Sequence, residues 1–239
     1  MKVSSATSVG RIRPSNEDSY FVSPPDKSDM VLAVVADGMG GHNAGEIASG
    51  KAVSILKKNV QEGNGENPRD ILIRAVEKAN REIYEMSIKE SKFSGMGTTI
   101  TACIADDNRI TAAQVGDSRL YLIREDKITQ ITKDHSLVEM LLENGRITKE
   151  EAKHHPQKNV ITRAVGTEKN VEVDMYEFTA NKGDVILLCS DGLVNMVENE
   201  EILSVIISRD ALDSAADKLV DAAENAGGTD NITVVLIEF

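Results

Sequence analysis

The stretch at residues 30–38, MVLAVVADG, decides how the rest of the chain is interpreted. Its first seven residues form a short, nearly continuous apolar run rich in valine, which is typical of a β-strand buried on both faces. A second run of this kind, at residues 184–189, leads through one serine to Asp191 and Gly192. Both predicted strands therefore end at an aspartate that is followed by a glycine.

Outward from these strands, the chain alternates β-like runs with helical blocks. The short turn 116–118 separates two of the runs, which predicts a hairpin. Asn67 and Pro68 predict a helix start, because asparagine caps helices and proline suits the first helical position. Residues 134–165 contain little β-like sequence, so we interpret them as an insertion.

Clustered strands flanked by pairs of helices predict an α+β fold in which helices cover sheets. Strands are expected at 30–36, 98–105, 109–115, 119–124, 184–189 and 232–239. Helices are expected at 43–62, from 67 onward, at 136–144, after a capping box at 148–151, and at 198–207 and 211–226.

The composition excludes several classes of function. The chain has 239 residues and a formal net charge of −12, and only 3% of its residues are aromatic. Nucleic-acid binding needs clustered Lys and Arg, and single-strand binding uses aromatic stacking, so neither is expected. No apolar run approaches the roughly 18 residues of a membrane span. The length suits one large domain or two small ones.

The N-terminal residues and the cysteines point to one compartment. Residues 1–11 contain one lysine but lack the apolar region of a signal peptide, so we expect a cytoplasmic protein. Cys103 and Cys189 lie in apolar β-like runs, and neither has a CxxC neighbour. Both are expected to be buried free thiols rather than metal ligands or a redox pair.

Four aspartates lie at the edges of apolar β-runs: Asp37, Asp117, Asp191 and Asp230. Taken singly, each is explained as a turn residue, because Asp before Gly, Ser or Asn forms turns through local chemistry. If the strand ends converge, however, the carboxylates repel one another unless a cation compensates. Oxygen ligands of this kind suit Mg²⁺ or Mn²⁺ rather than Zn²⁺. Ordinary turns and a divalent-metal site both remain open at this point.

A polar stretch near the N-terminus adds further charged candidates. Residues 10–18 contain Arg11, Arg13, Glu17 and Asp18. Arginine forms bidentate hydrogen bonds to phosphate groups. Considered alone, Arg13 is better explained as a solvated surface residue.

Nine motifs follow one another in order along nearly the whole chain. They are Arg13-x-x-Asn16-Glu17-Asp18, VVADGMGGH (34–42), Gly45-Glu46, GMGTT (95–99), VGDSRLYL (115–122), TKDHS (132–136), ITRAVG (161–166), LLCSDGL (187–193) and GGTDNIT (227–233). Together they resemble the metal-dependent serine/threonine protein phosphatases of the PP2C (PPM) family in its compact bacterial form.

This resemblance implies a single domain over residues 1–239, with a mobile flap at about 134–165. It implies a central antiparallel β-sandwich with helix pairs on both outer faces. The implied reaction is direct hydrolysis of phosphoserine and phosphothreonine by a water or hydroxide that bridges two Mn²⁺ or Mg²⁺ ions. Phosphorylated proteins, including a serine/threonine kinase, are the implied partners, and we expect a monomer.

The resemblance also implies a role for each matching residue. Asp37 would bridge the two metals, and the Gly38 carbonyl would bind one of them. Asp191 and Asp230 would bind the other metal. Glu17 would support the second metal, and Asp18 would lie in the shell around it. Asp117 would help Asp191 to hold a third, weaker metal. Arg13 would bind the substrate phosphate.

One position departs from many eukaryotic relatives of the family. They have Asp-Gly-His, where the histidine is proposed to protonate the leaving alkoxide, and this chain has Met39 at that position. The proton must then come from elsewhere. His42 is a candidate, although a supporting role for its loop explains it as well. His135, His154 and His155 are expected to be solvated.

The sequence leaves three alternative functions open. Residues 45–51 match the first seven positions of a phosphate-binding P-loop, but Ala52 replaces the required Ser or Thr. A metal-binding scaffold without catalysis is a second alternative. A third keeps the chemistry but acts on small regulators of sigma factors, because pocket loops rather than the fold set substrate choice.

Overall fold

Two antiparallel β-sheets form the centre of the molecule, as seen in a computed structural model that describes residues 1–24, 30–41, 44–63, 65–208 and 212–239. The first sheet has five strands in the order β1-β11-β10-β7-β8, and the second has the order β2-β3-β5-β6-β9, with β4 paired to β3. The strands are β1 (Lys2–Ser8), β2 (Asp18–Val22), β3 (Met30–Met39), β4 (Gly97–Thr98), β5 (Ile100–Asp106), β6 (Arg109–Val115), β7 (Arg119–Arg124), β8 (Lys127–Gln130), β9 (Asp174–Thr179), β10 (Val185–Cys189) and β11 (Ile232–Glu238).

Helices cover both outer faces of this sandwich. Helices α1 and α2 pack on the sheet that contains β3, and α5, α6 and α7 pack on the sheet that contains β10. The helices are α1 (Ala44–Glu62), α2 (Pro68–Lys89), α3 (Leu137–Glu143), α4 (Lys149–Lys153), α5 (Asp191–Val194), α6 (Asn199–Ile207) and α7 (Leu212–Asn225). The expected helix–sheet–sheet–helix layering is confirmed.

Strand β3 shows why the two-faced apolar run belongs in this position. Leu32, Val34 and Ala36 pack in the core under α1 and α2. The alternate residues Val31, Ala33 and Val35 pack in the core between the two sheets. Because successive side chains of a strand point to opposite faces, only an apolar run without alternation can fill both cores.

The predicted hairpin across residues 116–118 is wrong. Strand β6 pairs with β5 and β9 in one sheet, whereas β7 pairs with β10 and β8 in the other. The turn therefore carries the chain from one sheet to the other. Gly116 has φ of +105°, and a Cβ there would lie 2.5 Å from the Thr99 side chain, so a residue with a side chain does not fit this crossing.

The helix predictions agree with the structure within a residue or two. The Asn67 side chain caps α2 by accepting a hydrogen bond from the Arg69 amide, and Pro68 is the first helical residue. The capping box predicted at 148–151 is present at the start of α4. Helix α1 contains residues 45–51, and Lys51 forms an ion pair with Glu82 at 2.8 Å, which removes the P-loop alternative.

Four strands were absent from the sequence prediction: β1, β2, β8 and β9. Three of these, β1, β2 and β9, are edge strands whose residues are largely half-buried, and the short edge strand β8 is mostly exposed. They lack the continuous apolar pattern of the inner strands for that reason. No helix among the described residues is long and apolar enough to cross a membrane.

Replacing Leu72 with alanine should lower the free energy of unfolding by about 2–5 kcal/mol, because this side chain of α2 is fully buried and leaves a cavity. Ile88 lies on the same helix but is 64% exposed, so Ile88→Ala should change stability by less than about 0.5 kcal/mol. Urea unfolding followed by circular dichroism measures both variants. Equal losses would contradict the assignment of the helix faces.

Candidate metal centre

The four strand-edge aspartates converge on one cleft. Asp37 lies near the end of β3, Asp191 begins α5 directly after β10, Asp230 precedes β11, and Asp117 lies in the crossing turn. All four line a cleft of about 740 Å³, together with Arg13, Glu17 and Gly38. The structure therefore brings these four strand-edge aspartates together at one cleft, the condition under which their carboxylates would repel one another.

Two threonines hold the backbone of Asp37. The Asp37 amide donates to Thr99 Oγ1 at 2.9 Å, and its carbonyl accepts from the Thr99 amide at 2.8 Å and from Thr98 Oγ1 at 2.9 Å. Thr98 and Thr99 are fully buried. The GMGTT motif thus fixes the peptide from which the Asp37 carboxyl group projects.

Close backbone packing holds Gly38 against Glu17. The Glu17 carbonyl accepts from the Gly38 amide at 3.1 Å and from Ser49 Oγ at 2.6 Å. A Cβ on Gly38 would lie 2.1 Å from the Gly45 carbonyl oxygen, and one on Gly45 would lie 2.9 Å from Glu17 Cδ. Side chains at either glycine would therefore push the Glu17 segment away from Asp37.

Asn231 joins the N-terminal stretch to the Asp230 loop. Its side chain accepts from the Glu17 amide at 2.8 Å and donates to the carbonyls of Val9 and Ser15, both at 2.9 Å. A Cβ on Gly192 would lie 1.9 Å from the Asn231 carbonyl oxygen. Asn231 was not among the predicted site residues, although its position beside Asp230 in the GGTDNIT motif was a usable signal.

Asp18 lies beside Asp37 and is buried between the sheets. The two aspartates are paired in register across β2 and β3. One carboxylate oxygen of Asp18 accepts from Ser190 Oγ at 2.7 Å and from Thr233 Oγ1 at 2.6 Å. These hydroxyls hold the Asp18 carboxyl group beside the strand ends that carry Asp191 and Asp230.

Burial and mutual repulsion raise the pKa values of these carboxyl groups. Burial is the main cause at Asp18, Asp117 and Asp191, whose pKa values rise to about 7, about 8 and about 6, and neighbouring carboxylates add to the effect. The pKa of Asp37 rises well above its usual range for the same two reasons. Burial also raises the pKa of Glu17. The metal-free cluster thus resists carrying its full negative charge at neutral pH.

The donor set fits divalent cations. Among the described residues, three buried side-chain oxygens have no hydrogen-bond partner, namely Oδ1 of Asp18, Asp117 and Asp191. Buried, unpaired carboxylate oxygens are costly unless a cation compensates. Within the described part of the chain, no three His, Cys, Asp or Glu side chains form a ligand set by themselves. A cation would therefore also use backbone carbonyl and water oxygens, as Mg²⁺ and Mn²⁺ commonly do.

Arg13 lines the cleft and contacts Asp230, which is one of the predicted metal ligands. Its Nη2 donates to Asp230 Oδ2 at 2.8 Å, and this hydrogen bond raises the pKa of the guanidinium. The Arg13 side chain remains 48% exposed. A guanidinium has five N–H donors, so Arg13 keeps donors for a substrate phosphate while it contacts Asp230.

The segment between β8 and β9 also lines the cleft. Its lining residues include Ile161, Thr162, Arg163 and Glu172, which we call the Arg163 wall. Helices α3 and α4 lie in the same segment, within the range expected for the flap. Met39 also lines the cleft, without a group that could donate a proton.

The predicted histidines have different outcomes. His42 lies outside the described residues. His154 has 79% of its side chain exposed, as expected for a solvated residue. The expectation for His135 was wrong: this residue is only 7% exposed, because its ring lies between Gly116 of the crossing turn and Arg163.

Asp117→Asn should stabilise the metal-free protein at high pH. The unfolded chain loses the Asp117 proton near pH 4, whereas the folded protein keeps it up to about pH 8 because burial raises its pKa. Wild-type stability therefore falls as the pH rises through this window, and a neutral side chain removes that loss. In EDTA, the variant should have a higher Tm than the wild type at pH 8.5 and a smaller advantage at pH 5.

Asp184→Asn provides the matched control for this prediction. Burial opposes the shift, but hydrogen bonds from Arg124 and the Asn181 amide lower the pKa of Asp184. Its carboxylate is therefore stabilised on folding, and the Asn variant should have a lower Tm at pH 8.5. A lower Tm for Asp117→Asn as well would contradict the proposed repulsion.

Comparisons with known proteins agree with this arrangement. The family model described as Protein phosphatase 2C matches residues 3–232. The chain is 42% identical over 236 residues to the serine/threonine phosphatase stp of Listeria innocua, which covers 97% of this chain and 93% of that protein.

Solved structures give the same result. The serine/threonine phosphatase PstP/Ppp of Mycobacterium tuberculosis matches with a TM-score of 0.92 at 38% identity, covering 100% of this chain and 98% of that one. The catalytic domain of PstP in complex with two manganese ions matches with a TM-score of 0.89 at 36% identity, covering 99% and 97%. The chain belongs to the protein phosphatase 2C family.

Proposed function

We propose that this protein removes phosphate from serine and threonine side chains by direct transfer to water at a centre of two divalent cations. Its family membership makes it a serine/threonine protein phosphatase. The observation that carries the finer proposal is that Asp117 and Asp191, each with a buried unpaired carboxylate oxygen, line one cleft together with Asp37 and Asp230. The overall reaction consumes water and releases the hydroxyl side chain and inorganic phosphate.

The ligand assignment follows the positions of the acidic residues. We assign Asp37 to both ions, the Gly38 carbonyl to one, and Asp191 with Asp230 to the other. Glu17 would support the second ion, Asp18 would lie in the shell around it, and Asp117 with Asp191 would hold a weaker third ion. Mn²⁺ is supported by the manganese complex of the related PstP domain, and Mg²⁺ suits the same oxygen ligands.

Divalent cations, when bound, lower the pKa of water and offset charge on the phosphoryl group. The residues of the chain would supply the rest of the chemistry. Arg13 is placed to bind and orient the phosphate, because its half-exposed guanidinium lies at the cleft mouth beside Asp230. Once cations are bound, the carboxyl groups of the cluster would remain ionised at neutral pH, despite the burial that raises their pKa values without them.

A covalent cysteine mechanism has no support among the residues of the cleft. Cys103 and Cys189 are fully buried inside the strands. Burial raises the pKa of each thiol to about 12, so neither is a thiolate at neutral pH. Neither residue lines the cleft. Direct attack by water is therefore favoured over attack by a cysteine.

Phosphorylated proteins are the proposed substrates, and a serine/threonine kinase is a proposed partner. The net charge of −12 gives no general attraction for a phosphorylated segment. The local positive charge would come from the cations and Arg13. We also propose that the protein acts as a monomer in the cytoplasm.

Hydrolysis of a phosphothreonine peptide should require Mn²⁺ or Mg²⁺ and stop on addition of EDTA. Asp37→Ala and Asp230→Asn should each lower kcat by more than the 10–100-fold that loss of an outer-shell partner typically costs. Phosphate release measures this activity, and circular dichroism checks the fold. Asp107→Asn, at an exposed turn beyond the far end of β5, should retain wild-type activity. Activity that persists in EDTA would overturn the mechanism, and metal binding without turnover would favour the scaffold alternative.

Arg13→Ala should raise KM for phosphopeptides about 10-fold or more, because a charge-assisted contact to the phosphate is worth about 1.5–3 kcal/mol. Arg11→Ala is the matched control, since Arg11 is exposed and its side chain contacts Asn225 instead of lining the cleft. Steady-state kinetics at saturating Mn²⁺ distinguish the two variants. Equal KM values for Arg13→Ala and the wild type would remove Arg13 from the phosphate site.

A further inference from the structure

His135 is buried and contacts two segments that line the cleft, the crossing turn that carries Asp117 and the Arg163 wall. It follows the β8 strand in the chain, and it lies within the segment that separates β8 from β9. Its ring nitrogens face different parts of the protein: Nδ1 faces the crossing turn that carries Asp117, and Nε2 faces Arg163 and Asp174. No role for this residue follows from the ligand assignment above.

On the metal side, His135 holds both polar groups of Gly116. The His135 amide donates to the Gly116 carbonyl at 2.9 Å, and His135 Nδ1 accepts from the Gly116 amide at 3.1 Å. Gly116 precedes Asp117 directly. The other contacts of this turn come from within the sandwich, where Gln114 Nε2 donates to the carbonyls of Gly116 and Ser118. The imidazole therefore links this turn to the segment between β8 and β9.

On the side away from the crossing turn, His135 holds residues 162 and 163, which lead along the chain toward β9. Its carbonyl accepts from the Thr162 amide at 2.8 Å. Its Nε2 lies 3.3 Å from Asp174 Oδ2 and 3.1 Å from Arg163 Nη1, and Arg163 Nη1 donates to Asp174 Oδ1 at 2.6 Å. Thr162 and Arg163 line the same cleft as the aspartates.

The hydrogen bonds assign one tautomer to the ring. Because Nδ1 accepts from an amide, it carries no proton, and the proton of a neutral imidazole must be on Nε2. With the proton on Nε2, the 3.1 Å contact with Arg163 Nη1 brings two donors together, so the acceptor within reach of Nε2 is Asp174 Oδ2 at 3.3 Å; Asp174 also accepts from Arg163 Nη1. Burial lowers the pKa of His135, in agreement with a neutral ring.

We propose that His135 is a positioning residue that holds the Asp117 turn and the Arg163 wall of the cleft in register. Nδ1 fixes the turn at the metal side, and Nε2 fixes Arg163 through Asp174 at the substrate side. This inference rests on the proposed function, which assigns Asp117 to a cation. It adds the assignment of the Arg163 wall to binding of the phosphoprotein. The two functions of the ring can be separated by two substitutions.

His135→Asn keeps an acceptor near the position of Nδ1 but loses the group at Nε2. His135→Gln keeps a polar group near the position of Nε2 but loses the acceptor at Nδ1. In the Gln variant, the weakest Mn²⁺ binding step should weaken by about 10-fold, as for loss of an outer-shell partner. In the Asn variant, Mn²⁺ binding should stay within about twofold of the wild type, while KM for a phosphoprotein rises and kcat is retained. Calorimetric titration with Mn²⁺ and steady-state kinetics measure the two effects.

Hydrogen exchange in the metal-free protein tests the same separation without any activity. The Gln variant should increase exchange in peptides that contain residues 116 and 117, and the Asn variant should increase it in peptides that contain residues 162 and 163. His154→Gln, at the exposed flap histidine, should leave both regions and the kinetics unchanged. If both His135 variants affect both regions equally, or neither region, the proposal is wrong. A wild type that neither binds Mn²⁺ nor hydrolyses phosphopeptide would overturn the proposed function, while the exchange result would still decide the role of His135.

Discussion

Repulsion among buried carboxyl groups is the constraint on which the rest of the site depends. Asp18, Asp37, Asp117 and Asp191 are brought to one end of two packed sheets, and burial raises the pKa of each. Such an arrangement destabilises the metal-free protein above the pH at which these groups ionise. The surrounding residues must therefore hold the aspartates against their own repulsion. Contacts from Thr99 do so at Asp37, and contacts from Ser190 and Thr233 do so at Asp18.

The sandwich supplies the rigidity that this arrangement needs. Its three apolar cores lie under α1 and α2, between the sheets, and under α5, α6 and α7. Strands β3, β10 and β11 run through these cores, so an aspartate placed next to a strand end has little freedom to move. The buried aspartates of this site explain part of the net charge of −12. Part of the acidity belongs to a site whose compensating charge we propose to be metal.

The inner strands and every helix except the four-residue α5 are predictable from the sequence, because each has a strong local pattern. Continuous apolar runs predict β3 and β10, whereas the aspartates that follow them leave ordinary turns and a divalent-metal site both open until the family resemblance favours the site. The crossing turn was taken for a hairpin, since two β-runs joined by Gly116 and Asp117 look alike whether or not they share a sheet. The expectation that His135 is solvated rests on the polar segment in which it lies, and its partners Gly116 and Asp174 are distant in sequence. Its burial depends on long-range packing that no local pattern contains.

The most direct test of the metal centre is anomalous diffraction at the manganese absorption edge from crystals grown with Mn²⁺. The account predicts two strong peaks in the cleft, one beside Asp37 and the Gly38 carbonyl and one beside Asp191 and Asp230. A cleft without anomalous peaks, or peaks only at surface carboxylates such as Glu125 and Asp126, would contradict it. Either of those results would mean that the buried aspartates are stabilised by protons rather than by metal ions.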